Sequence, residues 1–257
     1  MQLLSVVIIT FNEERNIARC LNAVKQVADD IVIVDSGSSD KTKEICESFP
    51  VNFIQNKWNG YSSQKNFANS QAKFDWILSL DADEELSPEL IHSIKEAKNK
   101  KETAYYKINR LTNYCGKWIK HGGWYPDIKL RIFDRRYSQW EGAIHEYISN
   151  EKQQKATLLA GDCFHYSYYS LEEHIAQAKK FSELAAQNLY QQGEKPIPFR
   201  ILFSPMIKFI KNYILQAGFL DGAYGYQISR ISVQAAYWKY SKLKQLSDTN
   251  KNNGMPE

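Results

Sequence analysis

The stretch FDWILSLDADEEL (74–86) runs a mostly apolar segment straight into a cluster of carboxylates. On an extended chain, residues two apart project to the same side, so Asp81 and Asp83 point together. Two carboxylates that close repel unless a cation or a proton intervenes. Hard oxygen donors suit Mg²⁺ or Mn²⁺, which one or two carboxylates hold while a substrate phosphate completes the shell. The alternative is a helix-capping cluster serving the helix that Ser87 and Pro88 announce. Glu84, Glu85 and Glu89 fit that role, whereas Asp81 lies too far ahead of Pro88 to cap.

What precedes this segment decides what kind of strand it is. SVVIIT (5–10) and DIVIVD (30–35) are β-branched runs of the sort covered on both faces, and VNFIQN (51–56) is a third strand. Between the first two, Ile17, Cys20, Leu21 and Val24 recur at helical spacing, with acidic residues in the first turn. Asp40 caps a short helix carrying Ile45 and Phe49, and residues 62–72 make a polar helix. Strands alternating with helices predict parallel βαβ units, an α/β fold with helices on both faces of the sheet. In such sheets ligands gather beyond the carboxyl ends of the strands. TFNEE (10–14), DSGSSD (35–40) and DADEE (81–85) should therefore converge. Asp35 is placed to accept hydrogen bonds from a base or sugar, and the Ser/Gly loop after it lets backbone approach a ligand.

Past residue 103 the rhythm changes. AYYKINRL (104–111), DIKLRIF (127–133) and ATLLAGDCFHYSY (156–168) read as strands among aromatic, glycine-containing loops. Ser170 and Glu173 then form a capping box for a long helix that Gly193 stops. A further helix is expected to start at Ser204–Pro205 and to carry Met206, Phe209, Ile210, Tyr213, Ile214 and Ala217 on one face. The segment 221–243 is the last helix. The expected organisation is a catalytic domain over 1–168, a C-terminal helical extension over 169–246 and a disordered tail over 247–257.

At 257 residues, 43% hydrophobic and 24% charged, the chain has the composition of a globular protein. Residues 1–170 carry 22 basic and 22 acidic side chains; residues 171–257 carry 11 and 7. The whole surplus of +4 thus lies in the last third and points to an anionic partner there. Cys20, Cys46, Cys115 and Cys163 lack metal-ligand spacing and are expected to be reduced. LLSVVIIT (3–10) is too short for a signal peptide and has no basic leader, and no apolar run reaches the length of a membrane span. The expected location is the cytoplasm; the apolar stripe and flanking lysines of the C-terminal helices fit either peripheral contact with an anionic membrane or packing on the catalytic domain or another subunit. No nucleic-acid partner is expected.

The segments SVVIITFNEERNIARCL (5–21), IVIVDSGSSDKTKEI (31–45) and QKNFANSQAKFDWILSLDADEEL (64–86), in that order and spacing, resemble the signature series of family 2 glycosyltransferases, inverting enzymes of the GT-A fold. GGWYPDIKLRIFDRR (122–136), WEGAIHEYI (140–148), FHYSYYSLEEH (164–174) and GFLDGAYGY (218–226) resemble a narrower branch, the lipopolysaccharide core β-glucosyltransferase-like enzymes. The resemblance implies a GT-A, Rossmann-like, mixed but mostly parallel sheet. It implies that Thr10, Phe11, Asn12 and Glu13 line a nucleotide pocket and that Asp35 reads uracil. Lys65 and Asn66 match a basic–Asn pair near the pyrophosphate. Asp81 would contact ribose or metal, and Asp83 would coordinate Mg²⁺ or Mn²⁺.

An inverting transfer also needs a general base. Glu146 is the first candidate, with a surface salt bridge as its alternative, and Asp127 is the second. Arg131 could fork onto pyrophosphate. His145 and His165 are candidates for metal or phosphate contact, against the commoner role of a hydrogen-bonded core histidine. Among the aromatics Trp124 is the candidate acceptor-sugar contact, against simple core packing. The expected activity is transfer of a hexose, glucose first, from a UDP-sugar to a bacterial surface glycan or lipid-linked glycan. The alternatives are a polyprenyl-phosphate sugar transferase and a non-catalytic nucleotide-sugar or glycan-binding protein of the same fold.

Overall fold

Alternation along the first strands sorts their side chains into two separate cores. Val6 and Ile8 of β1 (Ser5–Thr10) pack with Ile31 and Ile33 of β2 (Asp30–Asp35), whereas Val7, Val32 and Val34 pack on the opposite face. The structure is a computed structural model that describes residues 1–100, 104–142, 146–151 and 155–253. Helix α1 (Ile17–Val24) lies between these strands in sequence, and α2 (Thr42–Glu47), β3 (Asn52–Gln55) and α3 (Tyr61–Ser70) follow. Strand β4 (Trp76–Asp81) completes the parallel part, and the short β5 (Glu84–Leu86) and α4 (Pro88–Lys98) follow it in sequence. Helices α1, α2 and α4 cover the first face with Leu21, Cys46 and Ile94; α3 covers the second with Ala68. Ser87 caps α4 by accepting from the Leu90 amide, with Pro88 at the first helical position.

The remaining strands are β6 (Tyr105–Tyr114), β7 (Lys117–Ile119), β8 (Asp127–Asp134), β9 (Trp140–Glu141), β10 (Tyr147–Ile148) and β11 (Ala156–Tyr168). The large sheet runs β3-β2-β1-β4-β8-β6-β11-β5, with β7 paired to β6. Pairing is parallel from β3 to β4 and antiparallel where β8 meets β4 and β6, so this is the expected mixed α/β sheet with helices on both faces. The register puts Thr10 opposite Asp35 and Ile9 opposite Asp81, so three strands end level. Helices α5 (Leu171–Gln191), α6 (Pro198–Phe209) and α7 (Gly222–Asn253) follow, with a π turn over Ile210–Leu215 and a 3₁₀ turn over Gly218–Asp221 between the last two.

Two compact units result, residues 1–111 with 126–166, and residues 112–125 with 167–257. Against the expected boundary at 168, the second unit also takes in 112–125, whose Tyr114 and Trp124 it needs for its own core. Tyr114, Trp124, Tyr168 and His174 pack ring against ring at centroid distances of 4.4–6.2 Å. The Asp221 carboxylate accepts from the His121 amide at 2.8 Å and ties the start of α7 to that segment. One expectation needs correction. Helix α6 begins at Pro198, not Ser204, because Pro198 takes the first helical position and leaves Pro205 inside the helix. Helix α7 runs to Asn253, and Thr249 Oγ1 donates back to the Gln245 carbonyl at 2.9 Å. Gly225 lets α7 approach the 3₁₀ turn, for a Cβ there would meet the Gly218 carbonyl oxygen at 1.8 Å.

Burial pushes the His174 imidazole down from its ordinary 6.5 to about 4, while its Nδ1 sits 3.0 Å from the Tyr114 hydroxyl. The folded state keeps this ring neutral, whereas the unfolded chain protonates it near pH 6.5. Stability from this group is therefore complete above pH 6.5 and is lost as pH falls toward 4. Thermal unfolding across that window should show His174→Gln, which retains an acceptor for Tyr114, losing less melting temperature on acidification than the parent. Parallel pH profiles for the two proteins would contradict this.

Candidate active site

The level ends of β1, β2 and β4 bring three loops together, and side chains stitch them. Asn12, at φ 55, donates its amide to Ser38 Oγ at 2.8 Å and accepts from the Ser39 amide at 2.9 Å. The Glu13 amide donates to Thr42 Oγ1 at 2.8 Å; across the same seam the Glu14 amide donates to Asp40 and the Glu14 carboxylate accepts from the Lys41 amide, both at 3.1 Å. Phe11 projects into solvent beside them, while Thr10 is buried and its hydroxyl has no hydrogen-bond partner among the described residues.

Asp35 is fully buried. Its carboxylate accepts from the Gly37 and Ser38 amides at 2.9 and 2.8 Å and from the Ser38 hydroxyl. Gly37, at φ 91, supplies the backbone conformation that turn requires. These bonds shape the loop that follows β2. Gln64 links that loop to α3, donating to Ser36 Oγ at 3.1 Å.

Asp81 sits between two cations, 2.9 Å from Lys65 Nζ and 3.0 Å from Arg131. Burial alone would raise its carboxyl, but Lys65 and Arg131 outweigh burial and hold it well below the usual carboxylate range. Behind it lies Glu84, fully buried, which accepts the Asp81 amide at 2.9 Å and pairs with Arg131 at 2.8 Å and Arg110 at 3.1 Å. Arg131, only 3% exposed, thus pairs with both Asp81 and Glu84. Asn66 likewise faces protein: it donates to the Trp140 carbonyl and accepts from the Trp140 amide, both at 2.8 Å. Lys65 adds a cation–π contact, 4.4 Å from the Trp140 ring centroid.

Asp83 has a different partner. Its Oδ2 lies 3.2 Å from His165 Nε2. Burial works against charge on that imidazole, but Asp83 outweighs it and the net direction is upward. Among the described residues no three His, Cys, Asp or Glu side chains are arranged to enclose a metal by themselves. Asp83 and His165 nevertheless offer a carboxylate and an imidazole side by side, which suits a divalent cation whose other ligands come from substrate phosphate and water. Glu13 is pushed up to about 7, first by burial and then by Asp83, Asp40 and Asp81, against the lowering hydrogen bond from Asn16. The pocket is therefore rich in negative charge.

Of the two base candidates, Asp127 is paired with Arg110 at 2.5 Å and Lys129 at 2.9 Å. Burial raises its carboxyl, yet these cations hold it low, which makes it less basic. Glu146 immediately precedes β10, which pairs with β9. Burial raises the Tyr61 hydroxyl, and the charges of Glu146, Asp81 and Asp83 act in the same direction. Trp58 stands edge-on to Tyr61 at 4.7 Å, an exposed aromatic pair that the sequence reading missed although a glycine loop carries it. Trp124 lies in the aromatic cluster of the second unit. Glu84 was read as a helix cap and is a buried counter-ion; Glu85 accepts instead from the Tyr166 hydroxyl at 2.9 Å. His145 lies outside the described residues.

Residues 5–175 match the model of the glycosyl transferase family 2. The chain belongs to this family. The glycosyltransferase is 33% identical to an uncharacterized glycosyltransferase of Rickettsia typhi over 98% of this chain and 90% of that one. It is 27% identical to the lipopolysaccharide core biosynthesis glycosyltransferase LpsC of Rhizobium meliloti, over 94% of this chain and 92% of LpsC. Among solved structures it is similar to S. aureus TarS 1-349 in complex with UDP, with a TM-score of 0.48, 14% identity and coverage of 100% of this chain and 93% of that one. No helix among the described residues of the glycosyltransferase is long and apolar enough to cross a membrane.

Removing one partner from a buried ion cluster leaves the others uncompensated, at a cost of about 3–5 kcal/mol. Glu84→Ala strands Arg110 and Arg131 together and should lower stability by about that amount. Urea unfolding that gives a change within about 1 kcal/mol would mean the cluster is better hydrated than its burial implies.

Proposed function

We propose that this glycosyltransferase is an inverting, divalent-metal-dependent enzyme that moves a hexose, glucose first, from a UDP-sugar to a hydroxyl of a bacterial surface glycan such as a lipopolysaccharide core. The observation that carries this reading is the Asp83–His165 pair at the strand ends, next to an Asp81 already neutralised by Lys65 and Arg131. The similarity to LpsC supports the class of acceptor.

In this reading the Thr10–Glu13 segment and the Ser36–Ser39 loop form the nucleotide pocket, with Asp35 holding the loop from behind. Asp81 faces the ribose, and Lys65 and Arg131 keep it ionised and fixed. Bound by Asp83 with His165, Mg²⁺ or Mn²⁺ would offset charge on the departing diphosphate. Glu146 takes the proton of the acceptor hydroxyl as that oxygen attacks the anomeric carbon from the face opposite the leaving group. Trp58 and Tyr61 offer aromatic faces for sugar C–H groups, and Trp124 is a second candidate for acceptor contact.

Transfer from labelled UDP-glucose to truncated lipopolysaccharide core tests the reading. Asp83→Ala should abolish turnover without changing the circular dichroism, and chelation should do the same reversibly. Glu146→Gln should lower kcat by about 10²–10⁴-fold while UDP binding persists, and Asp127→Asn should not. Full activity in Glu146→Gln with loss in Asp127→Asn would exchange the two roles.

A further inference from the structure

Residues 197–220 contain Arg200, Lys208 and Lys211 but no acidic residue. Ten large apolar side chains in these 24 positions are exposed, Leu202 at 70% and Leu215 at 75% among them. An apolar surface of that density marks an interaction site rather than ordinary surface scatter. Pro198, Ile201, Leu202 and Pro205 line an apolar cleft with Val233, Gln234 and Tyr237 of α7, and Phe209 and Tyr213 meet the Tyr226 ring of α7 at 6.5 and 6.0 Å. What remains outward includes Leu202, Met206, Ile207, Ile214, Leu215 and Leu220.

We propose that α6 and the π and 3₁₀ turns after it form a membrane-binding edge that lies on an anionic lipid surface. Apolar side chains enter the boundary between headgroups and acyl chains, while Lys208 and Lys211 meet lipid phosphates. Charge complementarity selects this occupant. A two-fold contact between copies would set the same acid-free patch against itself and bring lysine toward lysine. Burial and the neighbouring charges of Lys211 and Lys239 already hold Lys208 below the usual lysine range, so the cations there are clustered. Arg200 is partly balanced by Glu194 at 3.5 Å. The edge requires neither the donor nor the metal of the proposed reaction, so its test stands apart from that reading.

Co-sedimentation of the full chain, without nucleotide or metal, with vesicles of phosphatidylcholine mixed with phosphatidylglycerol provides the test. The chain should pellet with the mixed vesicles, less with phosphatidylcholine alone, and less as salt rises. Lys208→Gln with Lys211→Gln should weaken binding on the order of 5-fold per lysine. Leu202→Gln, Ile207→Gln and Leu215→Gln together should abolish it at low salt with circular dichroism and melting temperature retained. The proposal is overturned if the parent stays in the supernatant with both vesicles, or if the triple variant binds as well as the parent. It is equally overturned if light scattering shows a dimer that the triple variant dissolves while vesicle binding is absent.

Discussion

The arrangement at the strand ends depends on one buried ionic cluster. Asp81 closes β4 with its side chain toward the pocket, and Glu84 follows three residues later with its carboxylate buried beneath the same turn. Two acids so close to Asp83 and Glu13 would repel and open the turn without compensation. Arg131 from β8 bridges Asp81 and Glu84, Arg110 from β6 completes Glu84, and Lys65 from α3 completes Asp81. Two arginines of the antiparallel strands, with Lys65 of α3, therefore compensate the acids at the end of β4 and in β5. The direction of the Asp81 shift agrees with this geometry: the cations outweigh burial.

A division of labour follows. Carboxylates engaged by cations or backbone amides, namely Asp35, Glu84 and Asp127, fix the shape of loops and strands. Among the described residues Asp83 pairs with the His165 imidazole, a partner that can change protonation state, and Glu13 accepts from Asn16.

Much of the first unit was legible in the sequence. Continuous β-branched runs at 5–10 and 30–35 and the apolar lead into Asp81 located the parallel strands, and the parallel register made their loops converge. The pairings that give those loops their roles were not legible. Glu84 meets Arg131 across 47 residues and Arg110 across 26, distances over which local pattern carries no information. An acid beside a helix start looked like a cap, and only burial distinguishes it from a counter-ion. Asp35 was correctly placed at a strand end, but its direction depends on Gly37 and Ser38 turning back over it. At α6 a local rule misled: Pro205 marked a plausible first turn, yet Pro198 and the apolar residues after it had already started the helix.

The electrostatics of the pocket bear on its ligand. Lys65 and Arg131 are already opposed by Asp81 and Glu84, so neither offers a free charge to a diphosphate. Asp83 and Glu13 remain, and burial together with mutual repulsion has lifted Glu13 to about 7. A nucleoside diphosphate entering this space adds further negative charge at close range, and in a partly desolvated site that repulsion exceeds its value in water. Protonation of Glu13 and of His165 can relieve part of it, and the divalent cation proposed beside Asp83 would relieve more at the point where the phosphates would arrive. The same reasoning separates two regions of the chain chemically: an acidic pocket around Asp83 and Glu13, and the cationic, apolar segment 197–220.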